Sequence, residues 1–248
     1  MNVADFLAEV GTNWDYGLSL ACHMNRLDLV NHMISEGADN WDCGMGGACK
    51  GGHIELVNLM ITNGANNWNW GMVSACVGGH IDLVNLMITK GAACWNLGME
   101  GACLGGYIDL ANLMITKGAN NWDWGMAAAC KRGHLDLVNL MITKGANNWN
   151  WGLRFACVNE YTESPNTIKC AKRMISKGAD DFACLKDSKN VFLYKVFCQN
   201  HAVYDVERLH KLIREQDPLY TLVIHYHAGS VPLELPMDLL RYCKSFLD

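Results

Sequence analysis

Residues 66–92 read Asn66-Asn67-Trp68-Asn69-Trp70-Gly71-Met72-Val73-Ser74-Ala75-Cys76-Val77-Gly78-Gly79-His80-Ile81-Asp82-Leu83-Val84-Asn85-Leu86-Met87-Ile88-Thr89-Lys90-Gly91-Ala92. Met72 to Val77 predicts a short helix, because Met72, Ala75 and Cys76 fall at the i, i+3, i+4 spacing of a buried face. Asn69, or Asp123 at the same place in a later block, is expected to be its N-cap. Gly78-Gly79-His80 breaks that helix, and Ile81 to Lys90 predicts a second, longer one. Asp82 in its first turn and Lys90 in its last complement the helix dipole, and Gly91 suits the left-handed residue beyond a helix end. Apolar residues cover most of the second helix, as expected where neighbours flank it on two sides. Asn31, Asn58, Asn85, Asn112 and Asn139 mark its solvent stripe.

The block recurs. Trp14, Trp41, Trp68, Trp95, Trp122 and Trp149 are each 27 residues apart, and each is followed by Ala-Cys seven and eight residues later. A fixed period between about 20 and 50 residues signals a solenoid, whose units bury apolar surface only by stacking. The expected organisation is an N-terminal capping helix over 1–13 and six repeats over 14–40, 41–67, 68–94, 95–121, 122–148 and 149–181. A degenerate repeat or cap follows over 182–217, then a helical tail over 218–248. The sixth block is six residues longer than the others, with the excess around Tyr161 to Asn166 in the inter-helix turn. After Phe182, which takes the Trp column, two charged helices are expected over about Ser188 to Gln199 and Val203 to Glu215. Leu219 to His227 reads equally as a strand or as more of the helical stack.

Half of the 248 residues are apolar, and the formal net charge of -5 with a pI of about 6.0 gives no general basic field for nucleic acid. The start lacks a basic n-region, and no run approaches the roughly 18 to 20 apolar residues of a membrane span. A cytoplasmic protein is expected, with nucleus or virion as further locations, and neither nucleic acid nor membrane as partner.

Of the twelve cysteines, six form the Ala-Cys ladder Cys22, Cys49, Cys76, Cys103, Cys130 and Cys157. Stacked helices about 8–10 Å apart hold equivalent residues beyond the roughly 7 Å that a disulfide allows, and too far apart to share one zinc ion. The ladder reads as small buried thiols in a reducing compartment. Cys43, Cys94, Cys170, Cys184, Cys198 and Cys243 lie off it without a C-x-x-C pair, so no metal or other cofactor is expected. His53, His80 and His134 share one turn column with Arg26 and Tyr107, which points to a structural role. His210, His225 and His227 fall in no metal motif with Cys198 and Cys243. No nucleophile elbow, P-loop, H-E-x-x-H or dinucleotide fingerprint occurs, and no enzymatic activity is expected.

The string Ala75-Cys76-x-x-Gly79-His80-Ile81-Asp82-Leu83-Val84-Asn85-Leu86-Met87-Ile88-x-x-Gly91-Ala92 resembles the ankyrin pattern A-x-x-G-H-x-x-[IV]-V-x-x-L-[LI]-x-x-G-A, and the likeness returns over about residues 14–181. The resemblance implies an all-α, ankyrin-like helix-turn-helix solenoid that binds another protein. The ankyrin T-P-L-H entry is replaced by Asn-Trp-Asn-Trp-Gly-Met, and the unit is about six residues shorter than the usual length near 33. Both helices are complete, so the shortening belongs to the projecting turn, and β-hairpins should be short or absent. Repeats of this Asn-Trp type are most similar to the ankyrin proteins multiplied in large DNA viruses. That implies a host or viral protein as partner, in host cytoplasm.

In ankyrin proteins the first helix and the turn before it line the concave side. Columns that vary there, while the framework stays fixed, nominate Tyr16, Trp70, Glu100, Trp124, Lys131, Arg132, Trp151, Arg154 and Phe155 as partner-binding residues; aromatic and Arg side chains are what hot spots favour. Packing between adjacent repeats is the competing role for Trp124 and Trp151, and the anchor column from Trp14 to Trp149 is expected in the core. The segment Val231 to Leu247 is similar to the opening of an F-box and to the Leu-Pro-rich end of a SOCS box. This implies a ubiquitin-ligase adaptor contacting its scaffold through Leu235, Pro236, Leu239, Leu240 and Phe246; a plain capping helix fits the same residues. Self-association through incompletely capped ends, as a structural component of a particle, is the third reading.

Overall fold

The computed structural model describes residues 3–157 and 164–180. They form α1 (Val3–Val10), α2 (Trp14–His23), α3 (Leu27–Ser35), α4 (Trp41–Gly51), α5 (Ile54–Thr62), α6 (Trp68–Gly78), α7 (Ile81–Thr89), α8 (Trp95–Gly105), α9 (Ile108–Thr116), α10 (Trp122–Arg132), α11 (Leu135–Lys144), α12 (Trp149–Cys157) and α13 (Pro165–Ser176). Among the described residues there is no strand, and the fold is an all-α, ankyrin-like solenoid. Each first helix packs on its own second helix and on the first helix of the next pair, so α2, α4, α6, α8, α10 and α12 form a continuous row. The capping helices expected after Phe182, the tail, and residues 158–163 of the sixth inter-helix turn lie outside the described residues.

The first helix starts earlier than the sequence suggested. It opens at Trp68, and its N-cap is Asn67, whose Oδ1 accepts the Trp70 N–H at 3.1 Å. Asn13, Asn40, Asn121 and Asn148 make the same bond to Tyr16, Cys43, Trp124 and Trp151. The preference of Asn for this place comes from its short amide, which satisfies an N–H that the helix leaves without a carbonyl. In α8 the column holds Cys94, and no side chain caps that helix.

Asn69 and Asp123 therefore do not cap. Asn69 Oδ1 accepts the backbone N–H of Ala93 at 2.9 Å and of Cys94 at 3.2 Å, one repeat further on. Asp123 does the same for Asn147 and Asn148, Asp42 for Asn66 and Asn67, Asp15 for Asp39 and Asn40, and Asn96 for Asn120 and Asn121. In the longer sixth block Asn150 accepts from Asp180 at 2.7 Å. One polar side chain per repeat thus clamps the entry turn of the next, and this side-chain clamp ties the turns together where the described residues contain no strand pairing.

The core runs through the row. Leu18, Met45, Met72, Met99, Met126 and Leu153 are buried four residues after each Trp, with the Ala-Cys ladder and the Leu, Val or Ala, and Met of each second helix. Gly17, Gly44, Gly71, Gly98, Gly125 and Gly152 lie against Met33, Met60, Met87, Met114, Met141 and Met174; a Cβ at any of them would overlap the Met Sδ. Small residues at this crossing let two helices meet at close range around a flexible thioether.

The anchor tryptophans are not core residues: all six are half-buried, packed against the core from its rim. Each is the first residue of its helix, where the side chain packs on the core only in part. Lys90 Nζ sits 5.8 Å from the Trp68 ring centroid and Lys177 Nζ 5.9 Å from that of Trp149, a cation over each aromatic face. Gly91 has φ +111°, as its place beyond the second helix predicts. Asn31, Asn58, Asn85 and Asn112 are exposed, whereas Asn139 is half-buried and accepts from Arg173 Nε at 3.1 Å.

Candidate protein-interaction surface

The third residue of each first helix, at N3 of the cap, is exposed in four of the six helices. In this column Tyr16 is 49%, Trp70 56%, Leu97 54% and Trp124 44% exposed. These large apolar groups stand on a scaffold whose buried positions are nearly constant. Trp70 shows how the column is seated: a Cβ at Gly46 would overlap the Trp70 ring, so the indole lies across the preceding first helix where that helix has no side chain.

At the C-terminal end the column becomes a cluster. The Trp124 and Trp151 ring centroids are 4.8 Å apart at 77°, and those of Trp151 and Phe155 are 5.8 Å apart at 80°. Edge-to-face is a favoured geometry for aromatic pairs, because the positive ring edge meets the negative face. Trp151 and Phe155 are half-buried, so Trp151 takes the packing role while Trp124 keeps an open face. Arg154 is exposed beside Phe155. Burial pushes the half-buried Glu100 carboxyl above its usual range, and the nearby Lys131 charge opposes that rise. Arg132 is exposed at the end of α10, where its charge acts on His134. Of the nine residues nominated from sequence, Trp124, Trp151 and Phe155 meet directly and Glu100 and Lys131 interact electrostatically. Tyr16 and Trp70 stand on α2 and α6 in the same column.

Sequence reasoning left out two members of this face. Leu97 is in the aromatic column and more exposed than Trp124, and Lys50 is exposed at the end of α4. Their columns are legible in sequence; a preference for aromatic and Arg side chains passes over Leu97, but gives no reason to omit Lys50, whose counterpart Lys131 is nominated. A second apolar stripe, Leu27, Ile54, Ile81 and Ile108, is also exposed at the start of the second helices. It hides in sequence because these helices are apolar nearly all round. Asp28, Glu55, Asp82 and Asp109 follow directly along it, so the second-helix edge is acidic.

The histidine column is structural in its contacts. His53 Nε2 lies 3.1 Å from the His23 carbonyl oxygen and His80 Nε2 3.2 Å from that of Lys50, closing the C-terminal end of the preceding first helix. In the first repeat Arg26 pairs instead with Asp28 at 2.6 Å, and this hydrogen-bonded guanidinium holds the carboxyl at about 2. Burial pushes the Cys22, Cys49, Cys76 and Cys103 thiols up to about 12. Cys130 is raised too, first by its hydrogen bond with Cys170 and then by burial. Such thiols are poor nucleophiles. Among the described residues no group of three or more His, Cys, Asp or Glu side chains is placed to hold a metal ion, and no helix is long and apolar enough to cross a membrane.

Leu235, Pro236, Leu239, Leu240 and Phe246 lie outside the described residues. No family model matches the chain, and no curated protein matches it. Among solved structures the chain is similar to the crystal structure of the human ASB11 ankyrin repeat domain, at 20% identity and a TM-score of 0.41, covering 66% of this chain and 84% of that one.

Proposed function

We propose that this chain is a non-catalytic protein-protein interaction scaffold that docks its partner on the first-helix face. The observation that carries this reading is the exposed column of Tyr16, Trp70, Leu97 and Trp124 on a frame whose buried positions are nearly constant. A half-exposed Trp has about 100 Å² left to bury, worth about 2.5 kcal/mol at about 25 cal/mol per Å². Two of them with flanking contacts exceed the lower estimates of about 4 kcal/mol for the cost of association. On this reading the repeats are ankyrin units shortened to 27 residues, of the large-DNA-virus type, and the partner is a host or viral protein met in the cytoplasm. Trp70→Ala with Trp124→Ala tests it. Both side chains are exposed, so the melting temperature should hold within a few degrees while partner capture is lost. Capture that persists at wild-type level would refute the docking face.

The Leu235-Pro236 segment favours a second reading, in which the tail recruits a ubiquitin-ligase scaffold. Equal recovery of that scaffold by the full chain and by a chain ending at Asp217 would eliminate it.

A further inference from the structure

The turns between the two helices of each pair form an edge of their own. A Cβ at Gly52 would overlap the His80 ring, one at Gly79 the Tyr107 ring and one at Gly106 the His134 ring, so each turn lies against the ring of the next. Just past these turns Ile54, Ile81 and Ile108 open the second helices, and with Tyr107 they are 39–48% exposed. The core does not need them, because Leu56, Leu83 and Leu110 fill it two residues further on. A row of exposed apolar groups rimmed by polar ones marks an interaction site.

Charge is unevenly spread along this edge. The second helices begin with Asp28, Glu55, Asp82, Asp109 and Asp136, and the cations at the turns are Arg26, Lys50, Lys131 and Arg132. The whole edge is close to balance, but its cations gather toward the two ends. From Gly51 to Cys130 the only Lys or Arg residues are Lys90 and Lys117, the C-caps of α7 and α9, at the opposite ends of those helices. Arg26 pairs with Asp28 at 2.6 Å, whereas Glu55, Asp82 and Asp109 make no ion pair and no side-chain hydrogen bond among the described residues. A place in the first helical turn accounts for these acids, but not for the exposed isoleucine beside each of them.

We propose that the middle of this edge, from Ile54 to Asp109, docks a basic amphipathic helix of a partner protein, with an apolar side chain over each isoleucine and a Lys or Arg beside each carboxylate. It is a second interaction surface, independent of the aromatic column. Spacing agrees with sign: helices of adjacent repeats pack about 8–10 Å apart, and an α-helix presents the same face again after about seven residues, a rise of about 10.5 Å. Cations opposite three unpaired carboxylates steer encounter and reject acidic competitors. An anionic membrane surface also covers apolar groups, but its charge repels the same carboxylates.

Fluorescence anisotropy with three Ala-rich helical peptides of about 21 residues tests the proposal, each with one Leu per heptad and the flanking positions filled with Lys, Gln or Glu. The Lys peptide should bind at least about tenfold tighter than the Gln peptide and weaken as salt rises. Glu55→Gln with Asp82→Asn and Asp109→Asn should bring the Lys peptide down to the level of the Gln peptide and leave the Gln peptide unchanged, which a misfolded edge would not do. Ile81→Ser with Ile108→Ser should weaken both. The proposal is overturned if the Gln or Glu peptide binds as tightly as the Lys peptide, if none binds, or if the salt dependence is absent. Tighter binding to phosphatidylserine vesicles, or a dimer in sedimentation that the carboxylate variant dissolves, overturns it in favour of a membrane or a second copy. Trp70→Ala with Trp124→Ala should leave Lys-peptide binding intact; its loss there would place the peptide on the aromatic column and remove this surface while keeping the other.

Discussion

Removing one clamp should loosen two repeats at once. Asp42 Oδ1 accepts the N–H groups of Asn66 and Asn67, each at 2.8 Å, and Asn67 then caps α6 through the Trp70 N–H. Asp42→Ala deletes both bonds and frees the cap residue to rotate. A hydrogen bond to a charged group contributes about 1.5–3 kcal/mol, and a half-buried acceptor facing exposed amides belongs below that range, so the pair is worth about 2 kcal/mol. For a chain of this size that lowers the melting temperature by roughly 4–8 °C. Asp42→Asn keeps the accepting oxygen, as Asn69 and Asn96 do in their own repeats, and should cost less than about 0.5 kcal/mol. Circular dichroism melts of the three proteins with matched urea titrations give both values. If Asp42→Ala melts with the wild type, or Asp42→Asn falls as far as Asp42→Ala, the two bonds do not hold the stack together.

Other substitutions test the remaining parts of the frame. Cys94→Asn supplies the missing cap of α8 and should raise stability by about 0.5–1 kcal/mol; a fall would show that this turn differs from its counterparts. Gly47→Ala drives a Cβ into the backbone carbonyl of Ser19 on α2 and should cost about 1–3 kcal/mol despite the helix-propensity gain of about 1. Gly46→Ala should cost less, because its Cβ overlaps the exposed Trp70 side chain, which can swing outward, and no backbone atom; equal losses at the two sites would refute the distinction. Burial holds the His134 imidazole below its ordinary 6.5, opposed by a bond to the Leu104 backbone and reinforced by Arg132. Its folded value is depressed, so its contribution is complete above 6.5 and is lost as pH falls through the folded value. Melting temperature should therefore drop on acidification below 6.5. His134→Tyr, the residue Tyr107 supplies in the same column, should flatten that drop, and an unchanged slope would assign it to other groups.

The helix pairs were legible because buried positions recur: Met72, Ala75 and Cys76 announce a face, and Gly91 announces an end. The positions of the helix starts were not, because Asn67 and Asn69 are both good caps and only the structure shows which one turns back on its own helix. Nothing in composition separates a capping amide from one that reaches the next repeat. The strict Asp/Asn identity of the residue after each Trp was the unused signal. The anchor tryptophans misled for a related reason: periodicity marks a fixed role without saying whether the residue is central or on the rim. On the candidate surface Trp124 and Tyr16 are exposed, as their place in a variable column predicts. What sequence could not supply was the ring geometry that sets Trp151 edge to face between Trp124 and Phe155.

Site-specific photo-crosslinking in native extract tests the docking face most directly, with the photoreactive residue placed at Leu97 in one protein and at Glu36, beyond the end of α3, in another. The account predicts one discrete protein adduct from position 97, diminished by Trp70→Ala with Trp124→Ala, and none of that size from position 36. An adduct from position 36 with none from position 97 would place recognition away from the aromatic column and contradict it.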